Sequence, residues 1–248
     1  MIVLGFDTAT SSTVVGVRLA DGCTSQTRDD PQPGERPGHA TRLLAMAHEL
    51  LLSAGVGWDA LDRIAVGVGP GTFTGLRVGV ATARGLAQSL SVELVGVSSC
   101  RALAEAARGH ERYEDVLAVI DARRGEVFLG AYSVGERGST VESMAPRALA
   151  PSHMASALAD VPAHDGVRPW LAVGDGAVRY RAALEALGVT VPVDVSPLHR
   201  VDAQAICELG ARAAPARARE TIVPDYRRRP DAEIALLARE PQMENAGS

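Results

Sequence analysis

The sequence predicts a duplicated α/β fold in two domains, on three observations. The chain has 248 residues, 46% of them hydrophobic and only 4% aromatic. That length and composition suit one large or two small cores of Val, Leu, Ala and Ile. Each half opens on an apolar strand that ends in an aspartate and turns straight back into a second strand. The first reads "IVLGFDTATSSTVVGVRLA" and the second "VLAVIDARRGEVFLGAYSV". Strand and helix patterns then alternate in both halves, as layered α/β units require.

Taken in order, "MIVLGFD" is a buried strand closed by Asp7. "TVVGVRLADG" is a second strand, with Asp21-Gly22 as its hairpin turn, and "CTSQT" a third. The Pro- and Gly-rich stretch from Asp30 to Gly38 is a loop. "HATRLLAMAHELLLSAG" spaces Leu43, Leu44, Ala47, Leu50 and Leu51 as a helix does, and Gly55 can stop it. "IAVGVG" is a buried strand feeding a Gly-rich turn and a second helix. "VELVGVSS" and "CRALAEAA" add a strand and a helix. In the second half "TVESMAPRALA" is a third strand and "PSHMASALAD" a helix. "PWLAVGD" is a strand, "AVRYRAALEALG" a helix, "VTVPVDV" a strand and "DAQAICELGARAA" a helix. The domains expected are 1–108 and 109–213, followed by an extended Arg- and Pro-rich segment, 214–248. A duplicated βββαβα unit with an aspartate closing each first strand is the layout of the actin, sugar-kinase and heat-shock ATPase superfamily, which is ribonuclease H-like. There the two Asp-bearing turns face a nucleotide in the cleft between domains.

Composition excludes several chemistries. All 25 basic residues are arginine. Without lysine there is no Walker A site, no Schiff base and no pyridoxal-phosphate enzyme. A net charge of −5 does not suit a chain that grips nucleic acid by itself. Cys23, Cys100 and Cys207 lie far apart with no C-x-x-C, which reads as reduced thiols in a cytoplasmic protein. "IVLGF" follows Met1 without a charged leader, and no apolar run reaches the ~18 residues of a membrane span.

The stretch "GVGPGTFTGLRVGVATARGLAQ", Gly67 to Gln88, carries the most information. Its glycines fit neither G-x-x-x-x-G-K-[ST] nor a dinucleotide fingerprint, so the turn is either a phosphate cradle or a tight strand-to-helix connection. The helix beyond keeps Gly75, Gly79 and Gly85, each costing roughly 1 kcal/mol against alanine. Gly75, Gly79, Thr82 and Leu86 share one face, with Val78 and Gly85 beside it. Such a flat stripe serves either close packing inside the domain or a helix from a partner chain. On the second reading, Gly79→Leu blocks pairing and leaves the domain folded.

These residues resemble the TsaB (YeaZ) family, whose signature runs G-x-G-P-G-S/T-F-T-G-L/V-R-I/V-G. "FDTATSS", "HATRLLAMAHELL", "GVSSCRALA", "IDARRGEVF" and "PDYRR" are similar to that family too, in its order, over nearly the whole chain. The resemblance implies a non-catalytic partner of a paralogue, TsaD. TsaD transfers a threonylcarbamoyl group to the adenosine beside the tRNA anticodon, and the small ATPase TsaE completes the assembly. It implies pairing with TsaD, or with a second copy when alone, through a four-helix contact made by the first two helices. Here these are about His39–Ser53 and Thr74–Gln88. The expected contact residues are His39, Leu43, Leu44, Ala47, Leu50, Phe73, Gly75, Arg77, Val78, Gly79, Thr82 and Leu86. tRNA is met only through the complex.

An enzyme reading finds little support in the residues. The catalytic paralogue carries a metal-binding H-x-x-x-H, whereas Leu43 stands four residues after His39. His48-Glu49 begins like a zincin motif but has Leu52 for its second histidine. The other histidines, His110, His153, His164 and His199, are isolated, so no metal is expected. The alternative is a phosphotransferase of the sugar-kinase and actin superfamily. For it Asp7, Thr8, Thr10, Ser11, Asp121, Gly174 and Gly176 would meet a nucleotide. The first turn lacks the glycines of an active kinase, and Arg123 and Arg124 crowd the second. No cofactor is therefore required, and only weak ATP or ADP contact is expected. Asp7 can equally be a turn-forming carboxylate satisfied by local N–H groups. "YRRRPD", Tyr226 to Asp231, is either a solvated tail or a contact for tRNA phosphates.

Overall fold

The computed structural model describes residues 1–32, 34–108, 115–134, 140–161 and 170–227. Its first sheet has the order β3-β2-β1-β4-β5. The strands are β1 (Val3–Asp7), β2 (Thr13–Arg18), β3 (Thr24–Asp29), β4 (Arg63–Gly69) and β5 (Glu93–Ser98). β1, β2 and β3 form an antiparallel meander, while β4 and β5 run parallel to β1. The second sheet has the order β8-β7-β6-β9. It comprises β6 (Asp115–Arg123), β7 (Glu126–Val134), β8 (Thr140–Leu149) and β9 (Trp170–Val173). Its meander and its parallel β6–β9 pair repeat the first sheet. The duplication expected of an actin-like fold is thus present in both lobes.

Period-2 alternation sends each strand's side chains to two different cores. In β1, Leu4 and Phe6 join an outer core beneath α1 (His39–Ser53) and α2 (Phe73–Leu90). Val3 faces the middle of the molecule. In β6, Leu117 and Val119 face α4 (Met154–Ala159), α5 (Asp175–Arg179) and α6 (Arg181–Glu185). Val116, Ala118 and Ile120 face inward. Between the sheets lie α3 (Ser99–Ala107) and α7 (Ala203–Arg212). Their apolar sides merge with both sheets into one central core.

Three expectations are corrected. Sequence order assigned α7 to the second domain, but it packs across β1, β2 and β4 of the first sheet. Glycines permit the approach. A Cβ on Gly5 would lie 2.6 Å from Cys207 Sγ, and one on Gly210 2.4 Å from Ala65 Cβ. Arg63 then ties down the helix's C-terminal carbonyls, with Nη1 donating to Gly210 at 2.7 Å and to Ala213 at 2.8 Å. Second, "VTVPVDV" is not a strand: only Thr190 bridges to Leu171. Pro192 has no N–H to offer a ladder, and Arg181 takes the carbonyls of Val191 and Pro192. Third, "AVRYRAALEALG" breaks at Tyr180 into α5 and α6. The expected domain boundary near Gly109, and the tail beyond Arg227, lie outside the described residues.

Candidate functional site

The Gly-rich turn after β4 closes on the end of β1. A Cβ on Gly67 would lie 1.8 Å from Asp7 Oδ2, and one on Gly71 2.3 Å from the Ala9 carbonyl oxygen. Thr72 donates its N–H to that carbonyl at 2.7 Å. The turn therefore grips the chain's own first loop and holds it under α2. Asp7 is wholly buried there. Its Oδ1 accepts from the Ala9 N–H at 2.6 Å and its Oδ2 from the Ser99 hydroxyl at 2.5 Å. Burial pushes its carboxyl above the usual range, against the two hydrogen bonds. The reading of Asp7 as a locally satisfied, turn-forming carboxylate fits this geometry. Thr8, also buried, donates its hydroxyl to the Gly75 carbonyl at 2.7 Å.

In the second lobe Arg123 and Arg124 adopt left-handed φ values of 64° and 51°, which folds the turn back over Asp121. The Asp121 carboxylate accepts from the Arg123 N–H at 2.9 Å, and from Nη1 of Arg123 and of Arg179 at 3.4 and 3.3 Å. Gly174 and Gly176 serve packing: a Cβ on either would strike the backbone of β6, at 2.2 and 2.9 Å. Between the lobes a cleft of 290 Å³ is lined by Thr10, Ser11 and Ser12 on one side and by Asp175, Val178 and His199 on the other. Of the residues expected to meet a nucleotide, Thr10 and Ser11 line this cleft. Asp7 and Thr8 are fully buried and Asp121 is nearly so, and none of these three, nor Gly174 or Gly176, lines this cleft. Asp30, Asp175 and Asp194 share the wall with Arg200; Asp30 pairs with Arg28 and Arg200, and Asp194 with Arg181. No group of three or more His, Cys, Asp or Glu side chains is placed to hold a metal among the described residues. His110 and His164 lie outside those residues. Nor is any described helix long and apolar enough to cross a membrane.

The outer face of α1 and α2 is a different surface. Both helices turn one side to the first sheet, and that side includes several expected contact residues. Leu43, Ala47 and Leu50 belong to the outer core, and His39 is buried with Nδ1 2.8 Å from Thr13 Oγ1. Gly75 and Gly79 are buried as well. A Cβ on Gly75 would lie 1.9 Å from the Thr8 carbonyl oxygen, and one on Gly79 2.4 Å from Thr8 Oγ1. The two glycines let α2 rest on the loop after β1, so they cannot receive a foreign helix. The stripe and the Gly79→Leu expectation built on it are corrected accordingly.

The opposite side of the pair meets solvent. Leu44 is 49% exposed and Leu52 65%, with His48 between them, stacked on Trp58 and accepting its indole N–H at Nδ1. On α2, Arg77, Ala81 and Gly85 are exposed, while Phe73, Val78, Thr82 and Leu86 are half-buried. A Cβ on Gly85 would meet nothing within 4 Å. The strip at the surface is thus Val78, Ala81 and Gly85, one face round from Gly75 and Gly79; Val78 and Gly85 are the two residues that sequence spacing placed beside the stripe, and Ala81 joins them. The sequence reading also missed Tyr226, which packs on Phe73. Its signal was the "PDYRR" run.

Comparison with known proteins agrees with the fold and the motifs. Residues 35–236 match the family model "TsaD: tRNA N6-adenosine threonylcarbamoyltransferase". The tRNA threonylcarbamoyladenosine biosynthesis protein TsaB of Escherichia coli is 36% identical over 138 residues, which cover 56% of this chain and 58% of that protein. An uncharacterized protein of Mycobacterium tuberculosis is 33% identical over 237 residues, 93% of each chain. The solved structure of YeaZ from Pseudomonas aeruginosa superposes with a TM-score of 0.74 at 29% identity, covering 91% of this chain and 99% of that one.

Proposed function

The chain belongs to the TsaB (YeaZ) family, and from that membership we propose that it serves tRNA threonylcarbamoyladenosine biosynthesis as the non-catalytic partner of a TsaD paralogue. The observation that carries this reading is the outward side of α1 and α2. Leu44 and Leu52 of α1 stand exposed, and Val78, Ala81 and Gly85 of α2 line its outer side with small apolar groups, on helices anchored to the sheet. Two such helices from each chain make a four-helix contact, with small residues letting the backbones close up. The chain acts by differential binding. It favours the conformation of TsaD that is competent for transfer and raises its population without doing chemistry. In the free state the same face pairs two copies, TsaE joins the assembled pair, and tRNA is engaged through the complex in the cytoplasm. ATP or ADP contact at the cleft is at most weak. The carboxylate that an ATPase of this fold would turn towards a nucleotide, Asp7, is sealed under α2 and already holds two hydrogen bonds.

Reconstitution of tRNA modification from purified components tests the reading. Omitting this chain should abolish threonylcarbamoyl transfer, and wild-type protein or Asp7→Asn should restore it. Leu52→Arg should fail to restore it while remaining folded. ATP turnover by the chain alone, lost in Asp7→Asn, would instead favour the phosphotransferase.

A further inference from the structure

The described part of the segment after α7, to Arg227, recrosses the first lobe and reaches α2. Ala216 donates its N–H to the Leu94 carbonyl at 2.9 Å, and Asp225 donates to the Val68 carbonyl at 2.7 Å. Arg84 of α2 holds it in between, with Nε and Nη2 donating to the carbonyls of Arg219 and Glu220 at 3.1 and 2.6 Å. Tyr226 then lands on the first turns of α2. Its ring lies 5.1 Å from that of Phe73, tilted by 33°, and its hydroxyl accepts from Arg77 Nε at 3.0 Å. The Arg77 guanidinium sits 3.7 Å from the Phe73 ring centroid.

The stack stands at the surface: Tyr226 is 43% exposed, and Arg77 is exposed as well. Aromatic and arginine side chains dominate the energetics of interfaces, and side chains already packed on one another lose less rotamer freedom on binding. Of the five N–H groups of Arg77, the one on Nε goes to Tyr226. No carboxylate is paired with its guanidinium among the described residues. The stack is continuous with the α1–α2 face, since Phe73, Arg77 and Val78 belong to the same helix end.

We propose that the Phe73–Arg77–Tyr226 stack is a second anchor of the docking surface, supplied jointly by α2 and the returning C-terminal strap. The TsaD-type partner closes over both, with a carboxylate on its own helix pair taking the Arg77 guanidinium. This rests on the docking function proposed above. Because Tyr226 and Arg77 are 149 positions apart, the anchor exists only when the strap is home, which makes pairing a check that the strap has docked on α2.

The test is titration calorimetry of the full chain against the TsaD paralogue from the same organism, with thermal unfolding of each variant as the folding control. Tyr226→Ala should weaken association at least tenfold with little change in unfolding temperature. Tyr226→Phe, which keeps the ring, should stay within about threefold of wild type, and Arg77→Gln should match the alanine variant. Leu52→Arg reports the helix face on its own. If Leu52→Arg abolishes binding and Tyr226→Ala leaves it intact, the anchor is wrong and the docking function stands. If neither variant weakens binding, the docking function falls and the anchor with it. Loss with Tyr226→Ala alone also overturns the anchor, because the stack would then bind independently of that face. So does a Tyr226→Ala effect confined to self-association, because the occupant is then a second copy.

Discussion

Asp7 has no exposed surface, so its charge is costly to hold and its two hydrogen bonds decide what can replace it. With its carboxyl raised by burial, the folded state holds the proton more tightly than the unfolded chain. Its contribution to stability is therefore fully present below the ordinary value of 3.8 and is lost as pH rises through the folded value. Asp7→Asn removes the buried charge and still accepts from Ala9. At neutral pH it should be as stable as wild type or more so. Asp7→Ala strands the Ser99 hydroxyl and the Ala9 N–H and should cost about 2 kcal/mol in urea unfolding. His39 runs the other way. Burial holds its imidazole below the ordinary 6.5, so the unfolded chain binds the extra proton first, and stability fades as pH falls below that value. Unfolding free energy followed from pH 8 to pH 5 should decline less steeply in His39→Gln. Asp7 was legible in the sequence as a turn-former. Its seal was not, because Gly67 and Ser99 reach it from distant parts of the chain.

On the scale of elements, α2 separates two kinds of glycine that look alike in the sequence. Gly79 touches Thr8, whereas Gly85 faces open space. Gly79→Leu should therefore destabilise the chain by about 3 kcal/mol through overpacking, whatever it does to pairing. Gly85→Leu should raise the unfolding temperature, because leucine is the better helix former by up to about 1 kcal/mol. The same substitution should weaken pairing by adding bulk to the flat strip. Calorimetric melting together with a binding titration checks both halves of that contrast. The helices themselves were readable: Leu43, Leu50 and Leu51 recur at the right spacing and reach the core as their period demands. Periodicity marks the apolar side of a helix. A glycine adds no side chain to that pattern, so which side of α2 each glycine serves had to come from its neighbours.

Across the whole molecule, the shared middle layer makes the lobes interdependent. α7 comes late in the sequence yet covers the inner face of the first sheet, and α3 lies against β6 of the second. A fragment ending at residue 108 would expose Val3, Val14 and Ala65 where α7 should sit. It should show no cooperative thermal transition by circular dichroism. Glu105 fastens the same layer. It is buried and accepts from the Thr140 hydroxyl at 2.7 Å and from Arg212 Nη1 at 2.9 Å. Burial opposes its charge, but Thr140 and Arg212 outweigh burial and hold its carboxyl below the ordinary 4.5. Its contribution is thus present above that value and is lost as pH falls through the folded one. Glu105→Ala should cost about 3 kcal/mol at pH 7, and the difference from wild type should shrink in acid.

The sequence by itself determined the duplication, the order and type of most elements, and the family. These depend on local spacing and on contiguous motifs, which a chain carries before it folds. Only the tertiary structure decided that α7 packs across the first sheet, that Gly75 and Gly79 are internal, and that Tyr226 returns to α2. Each of these is a contact between residues far apart in the chain. Apolar spacing states that a surface must be covered and leaves open which segment will cover it.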